Sequence, residues 1–390
     1  MKLLVVAGEA SADLHAGHLV ARLKRSGPVT LIGVGGDRLV EQGLAPVKHA
    51  REMAVVGLTE AVRKIPQTLR LIASLEKLAG DERPDAALLL DLPDFNLRLA
   101  PKLHAMGIPV IYYISPQVWA WRSGRVHGMS ECIDLLLSIL PFESDWYRRN
   151  APEKLRVEYV GHPVLEEIPD LPYQPQPNRL AILPGSRESE WRTLFGPMIG
   201  AAAILYRENR GLEFRLPLAE PLRGNAFVLE CLSPDGPFAP ELRALGGSFS
   251  VVEEPAHHVL RGAKAAWIAS GTATLEAGVV GVPMVVAYKV SAVTAFVFKH
   301  FVRYGGPVAM VNLIQGGLGG TERTVPELLQ DQVSAVPLAE AMRGVLLEPN
   351  WSRMKSRLAS TRSILQGGTQ GGLPLDRAAH AIRSFLEARA

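Results

Sequence analysis

The chain has 390 residues, 47% of them hydrophobic and 21% charged, with a formal net charge of only +3. That length exceeds one ordinary core and predicts two domains of roughly 150–200 residues. The composition is that of a soluble globular protein, and the weak positive balance argues against a nucleic-acid binder while suiting an acidic ligand or an anionic membrane surface.

The opening run Leu3–Ala7 is short and soon followed by Glu9, so it reads as a first strand and not as a signal peptide. Further strands are expected at Thr30–Gly33, Ala86–Leu90, Val110–Ile114, Leu135–Ile139 and Val157–Val160, with helical stretches at 14–25, 59–79 and 95–106 between them. This βαβ rhythm predicts a doubly wound parallel sheet. Ile168–Pro177 then holds four prolines, which suit neither a helix interior nor a central strand, and it reads as a linker. A second α/β rhythm follows, with strands at Leu180–Leu183, Phe214–Leu218, Ser248–Val252, Ala265–Ala269 and Met284–Ala287. The tail from about 337 looks helical and is broken by the glycine-rich 367–372. The expected organisation is a first α/β domain over 1–167, a linker over 168–177, a second α/β domain over 178–345 and a helical tail over 346–390. No run approaches the ~18 apolar residues of a membrane span; the longest candidate, 265–288, is interrupted by Ser270, Thr272 and Glu276. Cys132 and Cys231 lie in different halves with no metal-ligand spacing around them, as expected of core thiols in a reducing cytosol.

In an open α/β sheet, ligands gather in the loops beyond the carboxyl ends of the strands. Ala7–Asp13 and Gly33-Val34-Gly35-Gly36 are two such loops, but both lack the dinucleotide-binding glycine spacing and read equally well as tight turns. Asp91-Leu92-Pro93-Asp94-Phe95-Asn96 places two carboxylates at a strand's end, candidates for a base and a positioning group, unless Asp94 is simply a helix cap. Ser115-Pro116-Gln117-Val118-Trp119-Ala120-Trp121-Arg122 offers indole walls beside the cations Arg122 and Arg125, unless both indoles pack into the core. Leu183-Pro184-Gly185-Ser186-Arg187 supplies small residues and a guanidinium fork suited to phosphate, or else a helix cap with a surface arginine. In Ser270-Gly271-Thr272-Ala273-Thr274-Leu275-Glu276, amides and hydroxyls at a helix start can wrap a diphosphate, and Glu276 can accept hydrogen bonds from ribose hydroxyls. No diphosphate-chelating Asp-x-Asp element stands in a plausible place, so neither a metal nor a cofactor is implied. The pair His257-His258 has no neighbouring ligands and reads as surface or core.

These motifs, with Ala7-Gly8-Glu9-Ala10-Ser11, Leu140-Pro141-Phe142-Glu143 and Val160-Gly161-His162-Pro163, occur in an order that resembles the lipid-A-disaccharide synthase family, over roughly residues 1–335. The resemblance implies the GT-B fold: two Rossmann-like doubly wound domains facing a cleft, followed by C-terminal helices. It also implies an inverting transfer from UDP-2,3-diacylglucosamine to 2,3-diacylglucosamine 1-phosphate, giving the β-1,6 disaccharide 1-phosphate of lipid A biosynthesis plus UDP, with interdomain closure as part of the mechanism. On that basis Asp94 is expected to be the base, with Arg187 stabilising the leaving diphosphate. Gly185, Ser186, Arg187, Ser270, Gly271, Thr272, Glu276 and Asn312 are expected at the nucleotide. Glu9, Ser11, Asp91, Asn96, Ser115, Gln117, Trp119, Trp121 and Arg122 are expected at the acceptor lipid. One region departs from the family pattern: Gln315–Thr324, between Val311-Asn312-Leu313-Ile314 and Val325–Gln330, is unusually glycine-rich.

Acylated substrates imply work at the inner face of the cytoplasmic membrane, with the protein peripherally attached and possible as a homodimer. The basic amphipathic stretches 62–78 and 290–304 are candidates for that attachment, although core packing explains them too. Two rival functions share the expected fold: a UDP-sugar 2-epimerase and the glucosaminyltransferase that acts on the lipid-linked peptidoglycan precursor. The tryptophan segment argues against both. A non-catalytic UDP-sugar or lipid-binding protein is the third rival, and the intact Asp94 and Arg187 argue against it.

Overall fold

The computed structural model describes residues 1–53, 58–120, 122–290, 306–318, 320–367 and 372–389, with side-chain surroundings in the helix Leu58–Glu82 described from residue 66 onward. The chain divides into two compact units, one of residues 1–166 with 365–390 and one of residues 167–364. The second unit therefore begins just ahead of the proline-rich stretch, which is pinned along it: Gln176 N–H donates to Gly262 O at 3.0 Å and the Tyr173 hydroxyl to Ala263 O at 2.8 Å.

The first unit is built on a seven-stranded, wholly parallel sheet. Its strands are β1 (Lys2–Ala7), β2 (Thr30–Gly35), β3 (Lys48–His49), β4 (Ala86–Leu90), β5 (Val110–Tyr113), β6 (Leu135–Ser138) and β7 (Arg156–Tyr159), in the order β3-β2-β1-β4-β5-β6-β7. Every residue of β4 and β5 is buried, as is Leu3–Ala7 of β1, because helices cover both faces of a parallel sheet and exclude polar alternation. The second unit repeats the plan with six strands: β8 (Arg179–Leu183), β9 (Glu213–Pro217), β10 (Phe249–Val252), β11 (Ala265–Ala269), β12 (Met284–Tyr288) and β13 (Glu327–Leu329), in the order β10-β9-β8-β11-β12-β13. Trp191 and Trp267 are fully buried in its core, each with its indole N–H satisfied, on Gly185 O at 3.1 Å and Leu338 O at 3.0 Å.

Eleven strands stand within a residue or two of their expected places; β3 and β13, two and three residues long, were not anticipated. The C-terminal helices do not behave as one tail. Met354 and Leu358 join the core of the second unit, whereas the helix Pro374–Glu387 buries Leu375, Ala378, Ile382 and Phe385 within the first. Arg377 fixes it there, donating from Nε to Val160 O at 2.9 Å.

The strand orders decide where chemistry can sit. In the first sheet the direction of winding reverses between β1 and β4, and in the second between β8 and β11. At such switch points the following loops diverge and leave a crevice at the strands' carboxyl ends.

Candidate functional site

In the first unit the loops after β1, β4, β5 and β6 are neighbours along one edge of the sheet. Gly8 lies so close to Leu92 that an added Cβ would come within 2.8 Å of the end of the leucine side chain, so the first two loops pack against each other here. Glu9 caps the helix Ala10–Lys24 by backbone alone, its carbonyl accepting Asp13 N–H at 2.8 Å, and Ser11 is exposed in the first turn. The Asp13 carboxylate fills the Gly33–Gly36 loop, accepting Gly36 N–H at 2.6 Å and Arg38 N–H at 2.9 Å. That loop is therefore a tight turn and not a nucleotide cradle.

After β4 the backbone of Asp91 and Leu92 is left-handed, with φ +47° and +45°, a conformation that costs L-residues free energy. Fully buried Asn96 holds this turn, its Nδ2 donating to Leu90 O at 3.0 Å and Asp91 O at 2.8 Å, and the Tyr112 hydroxyl also donates to Asp91 O. Asn96 thus shapes the loop, while Asp91 bends it. Pro93 starts the helix Pro93–Ala105 at a position that needs no N–H, and Asp94 follows without capping it. Asp94 Oδ1 instead accepts from Arg125 at 2.8 Å and Arg122 at 3.4 Å, while no described residue hydrogen-bonds its Oδ2. With 66% of its side chain exposed, this ion-pair cluster adds little stability. It does place a carboxylate and two cations at the switch point.

After β5 the chain turns through Ile114 at φ +67° and later Arg122 at φ +59°. Trp119 is buried, packing edge-on against Phe142 at 5.0 Å, so it floors the loop and does not wall a ligand; Trp121 lies outside the described residues. The Trp119 indole N–H donates to Glu143 Oε1 at 3.1 Å, and Glu143 Oε2 accepts Ile139 N–H and Leu140 N–H, each at 3.2 Å. Ser115 is buried against the Tyr147 hydroxyl at 2.7 Å, and Gln117 is exposed. Burial pushes the Glu143 carboxyl up to about 7 despite those donors.

A second buried pair lies nearby in the same unit. His162 Nδ1 accepts Val164 N–H at 3.1 Å, and burial, then the neighbouring His15, lowers His162 to about 3, while burial, then His18, lowers His15 to about 4. Both stay neutral in the folded chain while the unfolded chain takes up protons below about 6.5, so they remove stability as pH falls. Glu143, raised, has the opposite sign: its contribution is present in acid and lost as pH rises through about 7. A His162→Asn variant, whose amide can still accept Val164 N–H, is therefore expected to gain on wild type as pH falls from 6.5 to 4.5, by about 1.4 kcal/mol per pH unit. Denaturant melts at several pH values measure this; a pH-independent difference contradicts it.

In the second unit the corresponding loops follow β8 and β11, the two central strands. Gly185 has φ +116°, and an added Cβ there would collide with the Glu190 carboxylate. Glu190 Oε2 accepts Ser186 N–H at 2.8 Å and Arg187 N–H at 3.1 Å, so the amides expected to cradle phosphate are engaged as the cap of the helix Glu188–Glu208. The guanidinium of Arg187 remains 68% exposed, 3.7 Å from Glu190. After β11, Gly271 and Thr272 are exposed at the start of the helix Thr272–Val280, which has no side-chain cap. Its first amides lack intrahelical acceptors by geometry and lend the start partial positive charge. The Ser270 hydroxyl donates to Val308 O at 3.2 Å, and Thr274 turns its own hydroxyl back to Gly271 O at 2.8 Å.

One turn further along, burial raises the Glu276 carboxyl. Glu167, which the sequence did not single out, is pushed to about 7 by burial and by the charge of Glu276. Asn312 is placed differently from its expected role. It is 1% exposed, with Oδ1 accepting Thr324 N–H at 2.8 Å and Val325 N–H at 2.9 Å, and Nδ2 donating to Val325 O at 2.9 Å and Glu327 Oε1 at 2.7 Å. Glu327 in turn accepts Val308 N–H at 2.9 Å. Asn312 therefore supports, through Glu327, the segment that receives the Ser270 hydroxyl. Among the described residues, no three His, Cys, Asp or Glu side chains gather as metal ligands.

Likeness to solved structures extends over the whole chain. A UDP-glucosyltransferase from Polygonum tinctorium superposes with a TM-score of 0.63 at 13% identity, covering 99% of this chain and 98% of that one. A UDP-GlcNAc 2-epimerase from Neisseria meningitidis gives a TM-score of 0.59 at 14% identity, with 100% of both chains covered. Such low identities establish the GT-B fold and nothing finer. Sequence comparison goes further. The lipid-A-disaccharide synthase of Myxococcus xanthus is 40% identical over 355 residues, 88% of each chain, and that of Anaeromyxobacter sp. is 38% identical over 384 residues, 96% of this chain and 95% of the relative. A family model described as lipid-A-disaccharide synthetase matches residues 3–381. With both switch points, the motifs around them and nearly its full length matched, the chain belongs to the lipid-A-disaccharide synthase family of glycosyltransferases.

Proposed function

We propose that Asp94 and the Ser270–Thr272 helix start carry the two halves of a transfer from UDP-2,3-diacylglucosamine to the 6-hydroxyl of 2,3-diacylglucosamine 1-phosphate. The observation that carries this reading is the setting of Asp94. It is exposed at the first switch point and, among the described residues, it caps nothing and is held by arginines through Oδ1 alone. Oδ2 is the atom to receive the acceptor's proton as the new O6–C1 bond forms and the anomeric C–O bond to UDP breaks. Attack opposite the leaving group inverts the anomeric centre. The electron pair leaves on the diphosphate, where Arg187 and the uncapped helix start supply positive charge. Glu276, one turn along the same helix, takes the ribose hydroxyls.

Incubation with both substrates, followed by mass analysis, tests the reaction. A tetraacyl disaccharide phosphate with equimolar UDP is expected. UDP release without disaccharide, or epimerised sugar nucleotide, would return the rival readings to consideration. Because the cations named here belong to the protein, turnover is expected to persist in excess chelator. Loss of activity that magnesium or manganese restores would contradict that assignment.

The acyl chains of both substrates support work at the inner face of the cytoplasmic membrane, by peripheral attachment. Among the described residues no helix is long and apolar enough to cross a membrane. In the helix Leu58–Glu82, Ile72 and Leu75 are core residues, while Leu69, 51% exposed beside exposed Arg70, is available to a bilayer surface; the other candidate stretch lies almost wholly in 291–305, outside the described residues. A homodimer remains a proposal from the family resemblance.

A further inference from the structure

We infer that Glu143 is a positioning residue for the acceptor half of the reaction, its buried carboxylate acting through Trp119 to hold the 114–125 loop so that Arg122 and Arg125 stay on Asp94. This rests on Asp94 being the base. Three N–H groups converge on the carboxylate, one from Trp119 in the loop after β5 and two from Ile139 and Leu140 in the loop after β6. Glu143 is thus the tie between two neighbouring loops at the edge where Asp94 stands. The loop it ties bends through two residues of left-handed backbone, Ile114 and Arg122, a conformation that persists only where the surroundings enforce it. The second of these is itself a partner of Asp94.

A fully buried carboxylate is expensive unless its acceptor sites are engaged, and an apolar side chain in its place would leave three N–H donors without an acceptor. What the apolar side chain cannot do is accept three N–H donors at fixed angles. The carboxylate does so only while ionised, since a proton on either oxygen opposes one of the donors. Around it stand the Ser115 hydroxyl and the phenols of Tyr147 and Tyr159, both held neutral by burial, with Arg377 acting on Tyr159. Burial brings the Glu143 carboxyl to about 7, so the tie loosens as pH falls through neutrality.

The test couples the two partners. Glu143→Gln has one acceptor oxygen; with that oxygen on the Ile139 and Leu140 amides, its NH2 group faces the Trp119 indole N–H. kcat/KM for the acceptor is expected to fall by about 10–100-fold, with UDP affinity unchanged. Trp119→Phe/Glu143→Gln has no tie left to lose, so its kcat/KM is expected to fall no further than that of Glu143→Gln alone, with the acid limb of the acceptor kcat/KM profile abolished. Trp119→Phe alone severs the tie from the loop side and is expected to lower acceptor kcat/KM at neutral pH and to flatten the wild-type acid limb. A double variant whose loss is the product of the single losses, or a Trp119→Phe enzyme whose acid limb stays in place, overturns the inference. The Trp119→Phe readout stands even if Glu143→Gln does not fold. Both readouts are also separable from the role of Asp94, because indole–carboxylate coupling is measured without altering the base.

Discussion

Asp94→Asn is expected to turn over about 10²–10⁴-fold more slowly than wild type, the range that a positioned general base contributes. The substitution keeps the side chain's shape and its acceptor oxygen toward Arg122 and Arg125 but removes the lone pair that would take the acceptor's proton. Thermal stability is expected to change little. Asp94 caps no helix, and its ion pairs are largely exposed, where such pairs contribute about 0–1 kcal/mol. UDP affinity is expected to stay near wild type, since the nucleotide residues lie on the other unit. Turnover within about threefold of wild type, far short of the general-base range, would reduce Asp94 to an anchor for the two arginines and move the search to Asp91 or Glu9.

The second large effect is expected at the nucleotide. Arg187→Ala should weaken UDP binding by about 10–100-fold, the worth of a charge-assisted hydrogen bond to phosphate. Glu276→Ala should weaken it by roughly tenfold through the lost ribose acceptor. Calorimetry with UDP alone separates binding from chemistry. The glutamate variant has a second signature, because the charge of Glu276 helps to hold Glu167 near 7. With Glu276 gone, Glu167 should titrate lower. If both variants bind UDP as wild type does, the second switch point is not the nucleotide site.

The long central strands were legible because each is an unbroken apolar run, as a strand buried on both faces must be. β3 and β13 were not, because two or three residues at a sheet's edge carry no period to read. At the candidate site, the residues that look reactive by type, Asp94, Arg187 and Glu276, were visible one at a time. Their company was not. That Asp94 meets Arg122 and Arg125 depends on loops from separate strands converging at one edge, and that Trp119 faces inward depends on a carboxylate from beyond β6. Glu143 and Glu167 show the limit most plainly. A glutamate reads as solvent-exposed from sequence, and only tertiary packing tells that these two are buried and shifted. Asn312 errs the other way, a polar residue expected at the ligand that spends all four hydrogen-bonding positions inside the protein.

That last residue also shows how the fold accommodates the glycine-rich stretch that follows it. Asn312 stands before the segment and binds the backbone immediately after it, at Thr324 and Val325, so one side chain staples both ends of the loop. Once the ends are stapled, the number of residues between them matters only through chain entropy. Doubling a flexible loop costs only about 0.6 kcal/mol. Length can therefore change between the helix Met310–Gly316 and Thr324 at small cost to β13 and to the support beneath Ser270, whereas Gln315 and Glu322 are committed to Thr361 and Arg357.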